Sequence, residues 1–118
     1  MLYGDALAEV VTSLNNAGIN ATSELKKVQL PGALVVPGTL SFDLLDSDNY
    51  SAEFDIYLLT SNKGTVQSLN DLQDLLNKFR SVFQAIEAEP ISLPLTNIAG
   101  PDPVPGLLLT LQATITKD

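Results

Sequence analysis

The stretch Tyr50-Ser51-Ala52-Glu53-Phe54-Asp55-Ile56-Tyr57-Leu58-Leu59-Thr60-Ser61 decides the fold. Side chains alternate across a strand, so Tyr50, Ala52, Phe54, Ile56 and Leu58 share one apolar face. Ser51, Glu53, Asp55, Tyr57 and Leu59 share the other, which starts polar and ends apolar. Just upstream, Thr39 to Leu45 has strand composition. Asp46-Ser47-Asp48-Asn49 reads as a turn, because these side chains bond locally to the backbone. Residues 39–61 therefore read as a hairpin. Further back, Ala33-Leu34-Val35-Val36 is a short apolar strand between two turn signals, Pro31-Gly32 and Pro37-Gly38. Residues 20–30 are polar and read as a loop.

Helices flank this strand-forming region. Leu7, Val10, Val11 and Leu14 follow i, i+3, i+4, i+7 spacing, which predicts a helix over about 5–17. Asp5 is placed to cap it, and Gly18 to end it in the left-handed conformation, with Ile19 folding back onto the last turn. A second helix is predicted over about 66–88, capped by Thr65 or Ser68. Its apolar stripe runs Val66, Leu69, Leu72, Leu75, Leu76, Phe79, Val82, Phe83 and Ile86. Asp71 and Asp74 lie toward its positive end, Lys78 and Arg80 further along, and Pro90 ends it.

Ile91 to Ile98 reads as extended but interrupted by Pro94, hence an edge strand or an irregular arm. Residues 99–106 hold Pro101, Pro103 and Pro105 and read as a stiff arm without regular structure. Leu107 to Thr116 alternates cleanly. Leu107, Leu109, Leu111, Ala113 and Ile115 face one way, and Leu108, Thr110, Gln112 and Thr114 face the other. The order helix-β-β-β-helix-β-β predicts an α+β domain, two helices on a mainly antiparallel or mixed β-sheet. Nothing in the chain marks a domain linker, an internal repeat or a low-complexity block.

Composition narrows the function. The chain has 118 residues, 45% apolar and 17% charged, which suits one folded domain. Fourteen acidic against six basic residues give a net charge of -8, the wrong sign for a binder that neutralises phosphates. There is no cysteine and no histidine. Thiolate nucleophiles, zinc-thiolate sites and histidine bases are therefore absent from its chemistry. These absences point away from an enzyme and imply no catalytic, metal or cofactor-binding residue and no cofactor. No apolar run approaches the roughly 18 residues that span a bilayer, so no membrane is expected. The opening residues lack the pattern of a signal peptide, which predicts a soluble protein that is not exported.

The remaining motifs are weak. Asp46-Ser47-Asp48 opens like a calcium loop, but Ser51 stands where the glycine belongs and Tyr57 where the bidentate glutamate belongs. Glu53 and Asp55 share a strand face without a cleft to serve. Lys63-Gly64-Thr65 lacks the upstream glycine and the order of a phosphate loop. Ser23 with Lys26 lacks the burial that would activate a lysine. Asn20-Ala21-Thr22 and Asn49-Tyr50-Ser51 match glycosylation sequons in a chain without an export signal. Lys26-Lys27, the only basic doublet, reads as a solvated loop or a contact for an acidic partner.

More informative are apolar residues on both faces of a strand. Leu107-Leu108-Leu109 and the Tyr57 and Leu59 end of the earlier strand must bury both sides, either inside the chain or against another subunit. Tyr57, Leu59, Val104 and Leu108 are the candidate subunit or tube interface.

The pattern resembles the tail terminator proteins of long-tailed phages, especially the small ones of phages that infect actinobacteria. The resemblance spans nearly the whole chain, as a single tail-terminator-like domain over residues 1–118. It rests on Asn16-Ala17-Gly18-Ile19, Leu30-Pro31-Gly32-Ala33-Leu34-Val35-Val36-Pro37 and Phe54-Asp55-Ile56-Tyr57-Leu58-Leu59. The leucine-rich helix from Ser68 and the closing Pro105-Gly106-Leu107 strand complete it. The resemblance implies a homo-hexameric ring on the last ring of tail tube protein. Such a ring stops tube polymerisation, presents a surface to the head-tail connector protein, and lets DNA pass through its lumen without specific binding. It implies a place in the virion, at the tail and neck, after assembly in the host cytoplasm. An acidic protein suits a channel in which DNA must slide. The family has no catalytic motif to carry over. The alternatives are a head-to-tail connector or head-completion protein and, from another class, a small non-viral binding module acting as monomer or dimer.

Overall fold

A computed structural model of the chain describes residues 2–42, 48–84, 87–94 and 103–116. Two helices lie on a five-stranded mixed sheet, an α+β fold. Helix α1 spans Tyr3–Asn16 and buries Ala6, Val10 and Leu14. It starts two residues before the expected position, so Asp5 lies inside the first turn and makes no capping bond. Its C-terminus follows the expected geometry. Gly18 has φ 92°, the Ile19 N–H donates to Leu14 O at 3.0 Å, and the Gly18 N–H donates to Asn15 O at 3.1 Å. These two bonds satisfy carbonyls the helix cannot.

Strand β1, Ala21–Thr22, lies within the segment expected to be a loop. It pairs in parallel with β2, Gly32–Phe42, through Ala21 opposite Ala33. Side-chain chemistry explains the difference. Asn15 Nδ2 donates to Ala21 O at 3.0 Å while the Ala21 N–H donates to Asn15 Oδ1 at 3.3 Å. The amide thus stands in for a neighbouring strand.

The strand expected at 33–36 and the one expected from 39 are a single strand, β2, and Pro37-Gly38 does not stop it. It pairs antiparallel with β3, Asn49–Leu59, so the expected hairpin is present but longer. Pro37 opposes Phe54 and Leu40 opposes Ala52, so Gly38 and Thr39 together oppose Glu53 in a β-bulge. Because β1 pairs only with Ala33 and Leu34, Pro37 lies where β2 has no outer neighbour and its missing N–H breaks no ladder bond. The expected turn at 46–49 falls partly outside the described residues.

Helix α2 spans Thr65–Arg80, and one further turn leads to Phe83, whose N–H donates to Phe79 O at 2.9 Å. Of the expected extension to 88, residues 81–84 and 87–88 are not helical, and Ile86 lies outside the described residues. Among the described residues of the predicted stripe, only Leu72, Leu75 and Phe79 are buried, whereas Val66 is 75% and Leu69 55% exposed. The helix begins at Gly64, φ 91°, without a side-chain cap. Ser68 supports the entry from inside instead: its Oγ accepts the Lys63 N–H at 3.1 Å and donates to Ser61 O at 3.4 Å.

Pro90 does not end α2; it lies in β4, Glu89–Leu93, an edge strand that ends before Pro94. Residues 95–102 lie outside the described part, and the expected irregular arm gives way at Val104 to β5, Val104–Thr116. The sheet order is β1-β2-β3-β5-β4, antiparallel except for β1 with β2.

The main core lies between the helices and one sheet face. It joins Val10 and Leu14 of α1, Leu75 and Phe79 of α2, and Phe54 and Ile56 of β3. The Tyr3 ring meets Phe54 at a centroid distance of 5.9 Å. The alternation predicted for both long strands holds. Ala52, Phe54, Ile56 and Leu58 of β3 are buried toward the helices, and Leu109 and Ile115 of β5 with them.

Candidate functional site

The four sequence-predicted interface residues share the sheet face away from the helices. The β3–β5 register sets Tyr57 opposite Leu108 and Leu59 opposite Gly106, and the β4–β5 register sets Val104 opposite Leu93. The site comes together, but half of it is inside the chain. Leu59 is 0% and Val104 1% exposed, in a second small core with Val28 and Leu34. Leu59 lies over Gly106, where an added Cβ would meet Leu58 O at 2.8 Å and Leu59 Cδ2 at 2.7 Å. Leu59 and Val104 are therefore satisfied within one subunit and present no contact surface. Tyr57 and Leu108 are half-buried at the rim.

The cover over this end was missed in the sequence. Val28 and the half-buried Leu30 reach it from the segment that reads as a polar loop. The available signal was the pair Val28 and Leu30, two apolar residues two apart within that segment.

Farther along the same face the character changes. Asp55 Oδ1 accepts from Thr110 Oγ1 and Glu53 Oε1 accepts from Gln112 Nε2, both at 3.4 Å. Each carboxylate is directly opposite its donor in the β3–β5 register. These long, neutral-donor contacts are solvated cross-strand rungs, not a converging acid–base pair. Among the described residues, no three Asp or Glu side chains gather as a metal site would need.

Two of the basic residues, Lys27 and Lys63, are held by nearby carboxylates. Lys27 Nζ is 2.7 Å from Glu24 Oε2 beside a 3₁₀ turn at Leu25–Lys27. The hydrogen bond and charge of Glu24 hold this ammonium above its usual range. Lys63 Nζ faces the buried Oδ2 of Asp71 at 3.5 Å, and Asp71 Oδ1 accepts from Gln67 Nε2 at 2.9 Å. The Lys63-Gly64-Thr65 turn therefore supports a helix entry, and its lysine points to a carboxylate.

Two depressions adjoin β5. One, of about 970 Å³, lies between the segment after α2 and the strand and is lined by Val82, Phe83, Leu108, Thr110 and Leu111 among others. The second, of about 250 Å³, lies on the helix face between α1 and β5 at Val10, Ser13, Phe83 and Ala113. Glu87 and Glu89 also line the first, and Glu9 the second. Among the described residues, no helix is long and apolar enough to cross a membrane. No protein-family model matches the chain, and no curated protein matches it in sequence.

Proposed function

We propose that the chain is a structural ring subunit of a phage tail, a tail terminator that caps the tube. In this reading about six copies form a ring on the last ring of tail tube protein. The ring ends polymerisation because it matches the tube end on one side and does not repeat the tube's own surface on the other. The head-tail connector protein then binds the free side, and the place of action is the virion neck.

The observation that carries the reading is the division of labour between the two sheet faces. One face packs against both helices. The other carries Glu53 and Asp55 among Ser, Thr and Gln side chains along β3 and β5, with no basic residue on those strands among the described residues. A neutral to acidic wall lets a polyanion slide past without holding it. The resemblance through Leu30–Pro37, Phe54–Leu59 and Pro105–Leu107 supports the same assignment.

The test is tube assembly. Purified chain added to polymerising tail-tube protein from the same phage is expected to shorten the tubes as its concentration rises, with the chain at tube ends in electron micrographs. Tubes of undiminished length would remove the terminator reading. Binding to tail-free heads in that case would select the connector.

A further inference from the structure

β2 and β5 lie on the two sides of β3, both antiparallel to it, and so run parallel to each other. β1 covers the outer edge of β2 only at Ala33 and Leu34, and β4 covers that of β5 only from Val104 to Leu108. Beyond those points, among the described residues, the sheet narrows to a three-stranded blade with no strand on either side. Its edges are residues 35–42 on β2 and 109–116 on β5.

Natural sheets guard such edges with charges, prolines or bulges. The β5 edge, Leu109-Thr110-Leu111-Gln112-Ala113-Thr114-Ile115-Thr116, has no charge and no proline, and it pairs with β3 in unbroken register. The β2 edge is guarded by Pro37 and the bulge, but its last three residues, Leu40 to Phe42, are uncharged and in regular register. Phe42 is 68% exposed on the helix side of the sheet, where its ring lies beside that of Tyr50 at a centroid distance of 5.3 Å.

We infer that these two edges pair with each other between copies, β5 of one subunit running parallel to Leu40–Phe42 of β2 in the next. The inference takes from the proposed function only the cyclic arrangement. A ring that repeats by rotation about an axis along the strands keeps every β2 and β5 codirectional, so the junction is parallel. The rows match. Within one subunit Leu40, Ala52 and Ala113 are level, as are Ser41, Ser51 and Thr114, and Phe42, Tyr50 and Ile115. In a level register, or one staggered by two residues, Leu40 and Phe42 fall beside apolar β5 side chains on the helix face. Ser41 then falls beside Thr114 or Gln112 on the polar face. In a protein of net charge -8, this contact strip carries no charge, so no like charges are forced together. The alternative of β5 against β5 across a two-fold axis leaves Leu40 and Phe42 uncovered in both copies.

The chain has no cysteine, so introduced thiols are the only ones present. Ser41, Gln112 and Thr114 are exposed. The double variants Ser41→Cys with Thr114→Cys, and Ser41→Cys with Gln112→Cys, cover the two registers. Within one subunit these positions are two strand spacings apart, on the order of 9–10 Å, beyond disulfide reach. Mild oxidation, alone at high protein concentration and again with tail-tube protein, is expected to give a ladder of covalent multimers beyond the dimer for one of the pairs. The single variants should stay monomeric. Covalent dimers from Gln112→Cys or Thr114→Cys alone would overturn the inference in favour of a two-fold contact. The lack of a ladder under both conditions, with the variants folded by thermal melt, would overturn it outright. Tube arrest and ladder formation are read separately, so a ladder without arrest removes the terminator reading and leaves the edge pairing standing.

Discussion

The two halves of the sheet are built from the same three long strands and end in different states. In the half near β1 and β4, five strands are flanked by a core on each face, and Leu58 and Leu59 of β3 are both buried. In the other half three strands remain among the described residues, with helices on one side and the Glu53 and Asp55 rungs on the other. The lesson is that a strand's burial is set by what reaches it, not by the strand alone. Leu59 is a core residue because Val28 and Leu34 meet it, whereas Phe42, as apolar as any, is left at an edge.

The largest expected effect lies in the five-stranded half. Leu59→Ala leaves a cavity over Gly106 and should lower unfolding free energy by about 2–5 kcal/mol, read from urea denaturation. A loss below about 1 kcal/mol would mean that the second core is not a core. For the same reason an aspartate at position 59 reports on folding rather than on subunit contacts.

An intermediate effect is expected at Gly106→Ala. The new methyl would meet the Leu58 carbonyl and the Leu59 side chain inside normal contact distance. Overpacking of this kind costs about 1–3 kcal/mol, visible as a lower melting temperature. An unchanged melt would show that the two cores are free to move apart.

The smallest effect belongs to the blade. Phe42→Ser removes an exposed side chain, and unfolding of the isolated subunit should change by no more than about 0.5 kcal/mol in the same urea titration. A cost approaching that of Leu59→Ala would erase the contrast between the halves.

The sequence made the long strands legible because a period of two over ten residues leaves few alternatives. The faces of β3 and β5 follow it residue by residue. The adjacent pair Leu58-Leu59 also announced that both sides of that end are covered. What was illegible was nonlocal. β1 has two residues and no periodicity; it exists because the Asn15 amide bonds both Ala21 backbone groups. Pro37 looked like a stop because the rule against proline in strands assumes a neighbour on both sides, and β2 has lost one by that point. The apolar spacing of α2 continues through Val82 and Phe83 although the helix ends at Arg80. The candidate interface was legible as a shared face, Tyr57, Leu59, Val104 and Leu108 together. Its partial closure by Val28 was not, because that residue arrives from a distant, polar segment.

The bulge at Gly38 and Thr39 also sets the parity of everything after it. Before it, odd-numbered Ala33 and Val35 face the helices; after it, even-numbered Leu40 and Phe42 do. Removing Gly38 would leave each later side chain on its present face, opposite its present partner, and would turn residues 35–42 into one straight ladder. The added residue is thus dispensable for sorting apolar from polar. What it does is interrupt the edge, so that a strand arriving from outside finds a short landing of three residues in place of a rail of seven.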